Sequence, residues 1–200
     1  GAIALQERAY YIIRGTDFGN NVVATTAPTG ENSSIELLDG TVGTASPSSI
    51  CNVPGIGTFW FTTDLNVFWI PEGELRGRYV GDKLQSTVST LGTESTNVSA
   101  LGNVWMTYFD HILMLSIPIG SNNYPSLQFW MDIRSLRDFP NRGPVWYGPM
   151  TGQTINAVWV ENQQGDNALY ALEGNPSTGV YVYQLRVPFH FTDAVGSINN

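Results

Sequence analysis

Proton transfer, metal ligation and nucleophilic attack draw on histidines, cysteines and closely paired carboxylates. In this chain of 200 residues the first two types reduce to His111, His190 and Cys51. His111 follows Asp110 in what reads as a two-residue hairpin turn. A metal or acid–base role is one reading, but turn chemistry alone accounts for both side chains. His190 lies between Phe189 and Phe191, so strand alternation turns it to the opposite face, toward solvent or a partner. No two histidines or cysteines stand at metal-ligand spacing. No Gly-x-Ser-x-Gly elbow, phosphate-cradling glycine loop or EF-hand loop is present. Cys51 sits in the apolar run Ser49-Ile50-Cys51-Asn52-Val53 and reads as a small buried side chain. Without a partner it forms no internal disulfide, and it suits assembly in a reducing cytosol.

The 17 carboxylates fall mostly at turns, where Asp bonds neighbouring backbone amides. A glycosidase needs two across a cleft, and no such pair is marked. Asp132 with Arg134, and Arg137 with Asp138, read as local ion pairs. One feature is left, the run Gly143-Pro144-Val145-Trp146-Tyr147-Gly148-Pro149. Exposed, Trp146 and Tyr147 would make a platform for stacking a sugar or docking a protein. Buried, they belong to the core, which is the preferred reading. The expectation is a protein with no catalytic, cofactor-binding or metal site, and not an enzyme.

The elements that would position these residues are strands. Charged residues make up only 13% of the chain, about half of the roughly 25% usual in globular proteins. With 6 Trp, 9 Tyr and 9 Phe, this composition argues against disorder and for packed sheets. The net charge of −8 includes a single lysine, Lys83. Such a balance disfavours phosphate backbones and anionic membranes as partners. No apolar run approaches the about 18 residues of a spanning helix. The chain starts Gly1-Ala2-Ile3-Ala4 inside a strand pattern, with neither Met nor a secretory leader. It therefore reads as a piece of a longer polypeptide or a processed product.

A pattern recurs: a strand-like run, a small polar turn, and an aromatic-rich return strand. It reads Phe59-Trp60-Phe61, Asp64-Leu65-Asn66, Val67-Phe68-Trp69-Ile70, and again Val104-Trp105-Met106, Asp110-His111, Ile112-Leu113-Met114. It returns as Ala157-Val158-Trp159, Gly165-Asp166-Asn167, Ala168-Leu169-Tyr170, with a weaker first copy around Glu7-Arg8. The turn residues Glu7, Asp64, Asp110 and Asp166 are 57, 46 and 56 residues apart. Repeats of roughly 40–50 residues built from strands mark the blades of a β-propeller. Four blade-like units are predicted, at 2–39, 48–88, 104–150 and 154–192, in one all-β domain. The first contains a polar loop over 16–33, and the tail 188–192 closes the fourth or opens another. A Ser/Thr-rich connection over 87–103 is read as carrying a strand, and helices are expected to be nearly absent. Runs such as Phe59-Trp60-Phe61 and Leu127-Gln128-Phe129-Trp130-Met131 are apolar on both sides, as stacked sheets require. A propeller of about four units, complete or partial, is the expected fold, with a β-sandwich or jelly roll as the alternative.

Several segments together carry a resemblance. They are Ala4-Leu5-Gln6-Glu7-Arg8-Ala9-Tyr10-Tyr11, Leu38-Asp39-Gly40-Thr41, Phe59-Trp60-Phe61-Thr62-Thr63-Asp64, Tyr79-Val80-Gly81-Asp82, Trp146-Tyr147-Gly148-Pro149 and Gly179-Val180-Tyr181-Val182-Tyr183. The chain resembles the propeller region of tail-nozzle or tail-hub proteins of short-tailed bacteriophages. The resemblance implies a structural virion component of a tail or head-to-tail conduit, assembled in the host cytoplasm. Its partners would be other virion proteins and symmetric copies of itself, with no membrane span. DNA would pass through without specific binding, past an acidic wall. The alternative class is a lectin-like propeller module that binds glycans or proteins.

Overall fold

The computed structural model describes residues 2–14, 34–90, 95–138, 143–151, 154–163, 166–175 and 179–185. Strands dominate because Val, Ile, Phe, Trp and Tyr recur in short runs that fit a pleated surface, closed off by Gly, Pro, Asp and Asn. Sheet 1 is β1 (Ala2–Leu5), β2 (Tyr10–Arg14) and β3 (Ser34–Asp39). Sheet 2 is β4 (Cys51–Val53), β5 (Gly57–Phe61), β6 (Val67–Pro71) and β7 (Arg78–Tyr79). Sheet 3 is β8 (Trp105–Phe109), β9 (Ile112–Pro118), β10 (Pro125–Asp132) and β11 (Trp146–Met150). Sheet 4 is β12 (Ile155–Gln163), β13 (Asp166–Asn175) and β14 (Gly179–Leu185). Each sheet is an antiparallel meander whose strands are neighbours in chain order. The fold is all-β, in four sheets rather than the two layers of a sandwich.

The turn residues singled out by the sequence do sit at hairpin turns. Glu7 lies between β1 and β2, Asp64 between β5 and β6, and Asp110 between β8 and β9, while Asp166 opens β13 opposite Gln163. Their uneven spacing has a structural reason. In sheet 2 the marked hairpin joins the second and third strands; in the other sheets it joins the first two. Measured from their first strands, the sheets begin at Ala2, Cys51, Trp105 and Ile155, at steps of 49, 54 and 50 residues.

The core lies between sheets, and it changes face residue by residue. In β5, Phe59 and Phe61 belong to a cluster shared with Leu113, Leu115 and Phe129 of sheet 3. Trp60, between them, faces the other way and packs with Tyr10 of sheet 1, ring centroids 5.6 Å apart. In β9, Leu113, Leu115 and Ile117 face sheet 2, while Ile112 and Met114 meet Leu169 and Ala171 of sheet 4. Sheets 1 to 4 therefore stack in chain order, and the two middle ones are covered on both faces. This is why β9 is buried along its whole length, and why its sequence lacks the polar alternation of a half-solvated strand. Gly57 is required where it stands. Its φ is +131° and a Cβ there would run into the Ile70 carbonyl of the paired strand.

Two expectations need correction. The segment after β7 forms a helix, α1 (Asp82–Thr90), in a chain where helices are expected to be nearly absent. The connection over 87–103 ends in a 3-10 helix, Val98–Asn103, preceded by an isolated bridge from Thr96 to Ile119. The reason lies in the packing. Val80, Leu84 and Val88 recur every fourth residue, which suits a helical stripe, and all three are buried in the core between sheets 2 and 3. A second, five-residue helix, α2 (Arg134–Asp138), buries Leu136 in the same core. The loop over 16–33, the tail 188–192 and His190 lie outside the described residues.

Candidate functional site

Trp146 and Tyr147 occupy the start of β11, the edge strand of sheet 3, opposite Met131 and Trp130 of β10. Adjacent residues on a strand point to opposite faces, and the two rings separate accordingly. Trp146 is half-buried against the core between sheets 2 and 3, and its Nε1–H donates to the Val80 carbonyl at 2.8 Å. Tyr147 is 48% exposed on the other face. The loop leading in is held by Ser135, whose Oγ donates to the Asp132 carbonyl at 2.6 Å and accepts the Val145 N–H at 3.3 Å. Gly148, at φ +124°, leaves no room for a Cβ beside the Gln128 carbonyl. The structure thus makes Trp146 a clamp between two sheets and leaves Tyr147 as an accessible ring.

Asp110 and His111 form the β8–β9 turn with φ of 44° and 70°, the left-handed backbone that a two-residue hairpin demands. His111 is exposed and its carbonyl accepts the Ile133 N–H at 2.9 Å. Nearby, the Arg134 guanidinium grips Asp132 with Nη2 at 2.7 Å and Nε at 3.0 and 3.2 Å. That grip holds the Asp132 carboxyl below its ordinary range. Arg137 does the same to Asp138 at 2.8 Å. Both ion pairs are those the sequence suggested, and each closes on itself.

The other polar constellation ties α1 to the β5–β6 turn. Thr62 Oγ1 donates to Asp64, Tyr79 OH donates to the second Asp64 oxygen at 3.0 Å, and Gln85 Nε2 reaches the Asp64 carbonyl at 3.2 Å. Asn66 Nδ2 donates to Asp82 at 3.1 Å, at the first residue of the helix. Burial, then the bond to Asp64, push the Tyr79 phenol up to about 12. Cys51 is buried in the core, and burial lifts its thiol to about 12 as well. A thiol so far from ionising is a packing group, not a nucleophile. Among the described residues no three His, Cys, Asp or Glu side chains gather to hold a metal ion, and no helix is long and apolar enough to cross a membrane.

An open groove of about 440 Å³ runs between sheets 1 and 2, lined by Ile3, Leu5, Thr44, Pro47, Ile50 and Thr58. Beneath it, Thr44, Ser46 and Ser49 form a buried hydroxyl network. The Thr44 and Ser49 hydroxyls are 3.0 Å apart, and the single Ser46 Oγ–H is shared between the carbonyls of Gly102 at 3.0 Å and Val104 at 2.5 Å. The sequence reading missed this network. Its signal was the Thr44-Ala45-Ser46-Pro47-Ser48-Ser49 run, whose small hydroxyls fit where two sheets and a loop converge. These bonds satisfy one another and tie the linker ahead of sheet 2 to the entry of sheet 3. Comparison with family models, with curated proteins and with solved structures finds no match.

Proposed function

We propose that this chain is a propeller-type structural component of a phage tail or head-to-tail conduit, built to assemble with other virion proteins and with copies of itself. The observation that carries this reading is the stack of four meander sheets in chain order, with the middle two buried on both faces. Such an arrangement is how propeller blades hide two apolar faces each. The polar clusters support a scaffold. The hydroxyls of Thr44, Ser46 and Ser49 and the Asp64–Tyr79 pair join one piece of backbone to another. In this reading the chain acts by shape and carries out no reaction. Its net charge of −8 suits a wall past which DNA moves without adhering. The experiment that tests it is cryo-electron microscopy of the intact phage particle, with the chain located by fitting and by antibody labelling. Density for the chain at the tail or portal end is expected. Its absence from purified particles would overturn the reading.

One observation favours a second reading, a glycan- or protein-binding module. Tyr147 presents an accessible ring at a sheet edge, and Trp159, 39% exposed, stacks on the buried Tyr170 of sheet 4 at 5.7 Å and 18°. Clear binding on a glycan array, lost in Tyr147→Ala or Trp159→Ala, would favour that module over the conduit.

A further inference from the structure

The stack has two ends, and both are apolar. On sheet 1 the register sets Ala4 beside Tyr11 and Leu37, and Ile13 beside Ile35. These residues alternate with Tyr10 and Ile12, which face sheet 2, so they point away from the stack. Ile35 and Leu37 are 50% and 54% exposed. On sheet 4, Leu169, Ala171 and Leu185 face sheet 3, so the alternate positions point outward. There the register sets Trp159 beside Tyr170 and Ala157 beside Leu172 and Val182. Trp159 and Val182 are 39% and 46% exposed. Among the described residues no sheet of this chain covers either face.

We propose that the outer face of sheet 4 docks on the outer face of sheet 1 of a second copy, so that copies join head to tail into a closed ring. The proposal rests on the scaffold reading for its place in an assembly. Three arguments select this occupant. The first is continuity: the three junctions inside the chain each set an apolar sheet face against the next sheet in order, and sheet 4 on a neighbour's sheet 1 extends the same series. The second is charge. Copies bearing −8 each repel one another, and of the outward positions that the register sets in β1 to β3 and β12 to β14, the charged ones are Glu161 and Asp166, both near the β12–β13 hairpin and none on sheet 1. The ends are thus where two copies meet with least repulsion. The third is area. Strands about 4.8 Å apart, rising about 3.3 Å per residue, give a three-stranded face a footprint of roughly 300 Å². Stable pairs usually bury about 800 Å² per partner. One junction is therefore too weak to hold a dimer, whereas a closed ring gives every copy two. Because the meeting faces differ, the contact is head to tail and closes only when the rotation permits.

The test is mass photometry and sedimentation velocity of the full chain over rising concentration, repeated with Leu37→Glu on one end face and Val182→Glu on the other. Both sites are exposed, so circular dichroism should match the parent. The expected result is monomer and one closed oligomer with no populated dimer. Each variant alone should raise the concentration needed for assembly at least about 10-fold. Monomer alone up to about 1 mM, or assembly unaffected by either variant, would overturn the proposal. Self-association lost in only one variant would indicate a contact of like faces and overturn it as well. The outcome is separable from the scaffold reading. Rings that are absent from phage particles would keep this inference and remove that reading, and a monomer found in the tail would do the reverse.

Discussion

The two junctions on either side of sheet 3 use opposite faces of the same strands, yet they are held together differently. Toward sheet 2, β9 and β10 present Leu113, Leu115, Ile117, Leu127, Phe129 and Met131, and the helices α1 and α2 add Leu84, Val88 and Leu136. Polar crosslinks reinforce that side, from Trp146 to Val80 and from Ser46 to Gly102 and Val104. Toward sheet 4, the apolar patch is smaller and is shared with polar groups. Ser116 is fully buried and Gln128 nearly so. The Oγ atoms of Ser116 and Ser126, Nε1 of Trp130 and Oδ1 of Asn156 have no hydrogen-bond partner among the described residues. Trp105 Nε1 donating to the Ile155 carbonyl at 2.6 Å bridges this side. Burying a polar atom without a partner costs about 1–3 kcal/mol. The difference teaches that one sheet can be both the anchor of the core and the weak seam of the stack. Sheet 4 is the part expected to open first.

The largest effect is expected on the anchored side. Phe59, fully buried and stacked on Trp69 at 5.7 Å, has no room to be replaced, and Phe59→Ala should cost about 3–5 kcal/mol of global stability in urea denaturation. Next comes Leu169→Ala, fully buried on the weak side, at about 2–4 kcal/mol. Native-state hydrogen exchange should show the loss of protection confined to β12–β14. Equal loss in β5 and β9 would erase the distinction between the two junctions.

A smaller effect is expected from alkaline pH. Cys51, on the anchored side, has its thiol raised from 9.0 to about 12 by burial, and Tyr79 is raised to about 12 from 10.0. A group raised on folding favours its protonated form, so the stability it adds is full below the unfolded value and is lost as pH climbs toward the folded one. The urea midpoint should fall between about pH 9 and about pH 12, and Cys51→Val should make that fall shallower. The smallest effect is at Ser116. Removing a hydroxyl that has no partner among the described residues should change stability by less than about 1 kcal/mol, in the stabilising direction. A loss of about 2 kcal/mol or more in Ser116→Ala would show that the seam relies on that hydroxyl.

Much of this was legible in the sequence because local chemistry decided it. Asp110-His111 and Glu7-Arg8 forced hairpins, and apolar runs on both sides of Phe59-Trp60-Phe61 required a sheet on each face. Helix α1 was not legible. Asp82-Lys83-Leu84-Gln85-Ser86-Thr87-Val88-Ser89-Thr90 is rich in Ser, Thr and β-branched residues, which are weak helix formers. Tertiary burial of Leu84 and Val88 and the Asn66–Asp82 bond decide its form. The separation of Trp146 from Tyr147 follows from strand alternation, but only once β11 is known to be an edge strand whose one face meets Val80. The buried hydroxyls of Thr44, Ser46 and Ser49 were hidden because their partners lie on segments distant in sequence, such as Gly102 and Val104.

The most direct test is isotope-edited NOE spectroscopy on the three consecutive residues Phe59, Trp60 and Phe61. The stacked arrangement predicts cross-peaks from Trp60 to Tyr10 of sheet 1, and from Phe59 and Phe61 to Leu113 and Leu115 of sheet 3, in the same monomer. Cross-peaks from one face alone, with the other open to water, would contradict it.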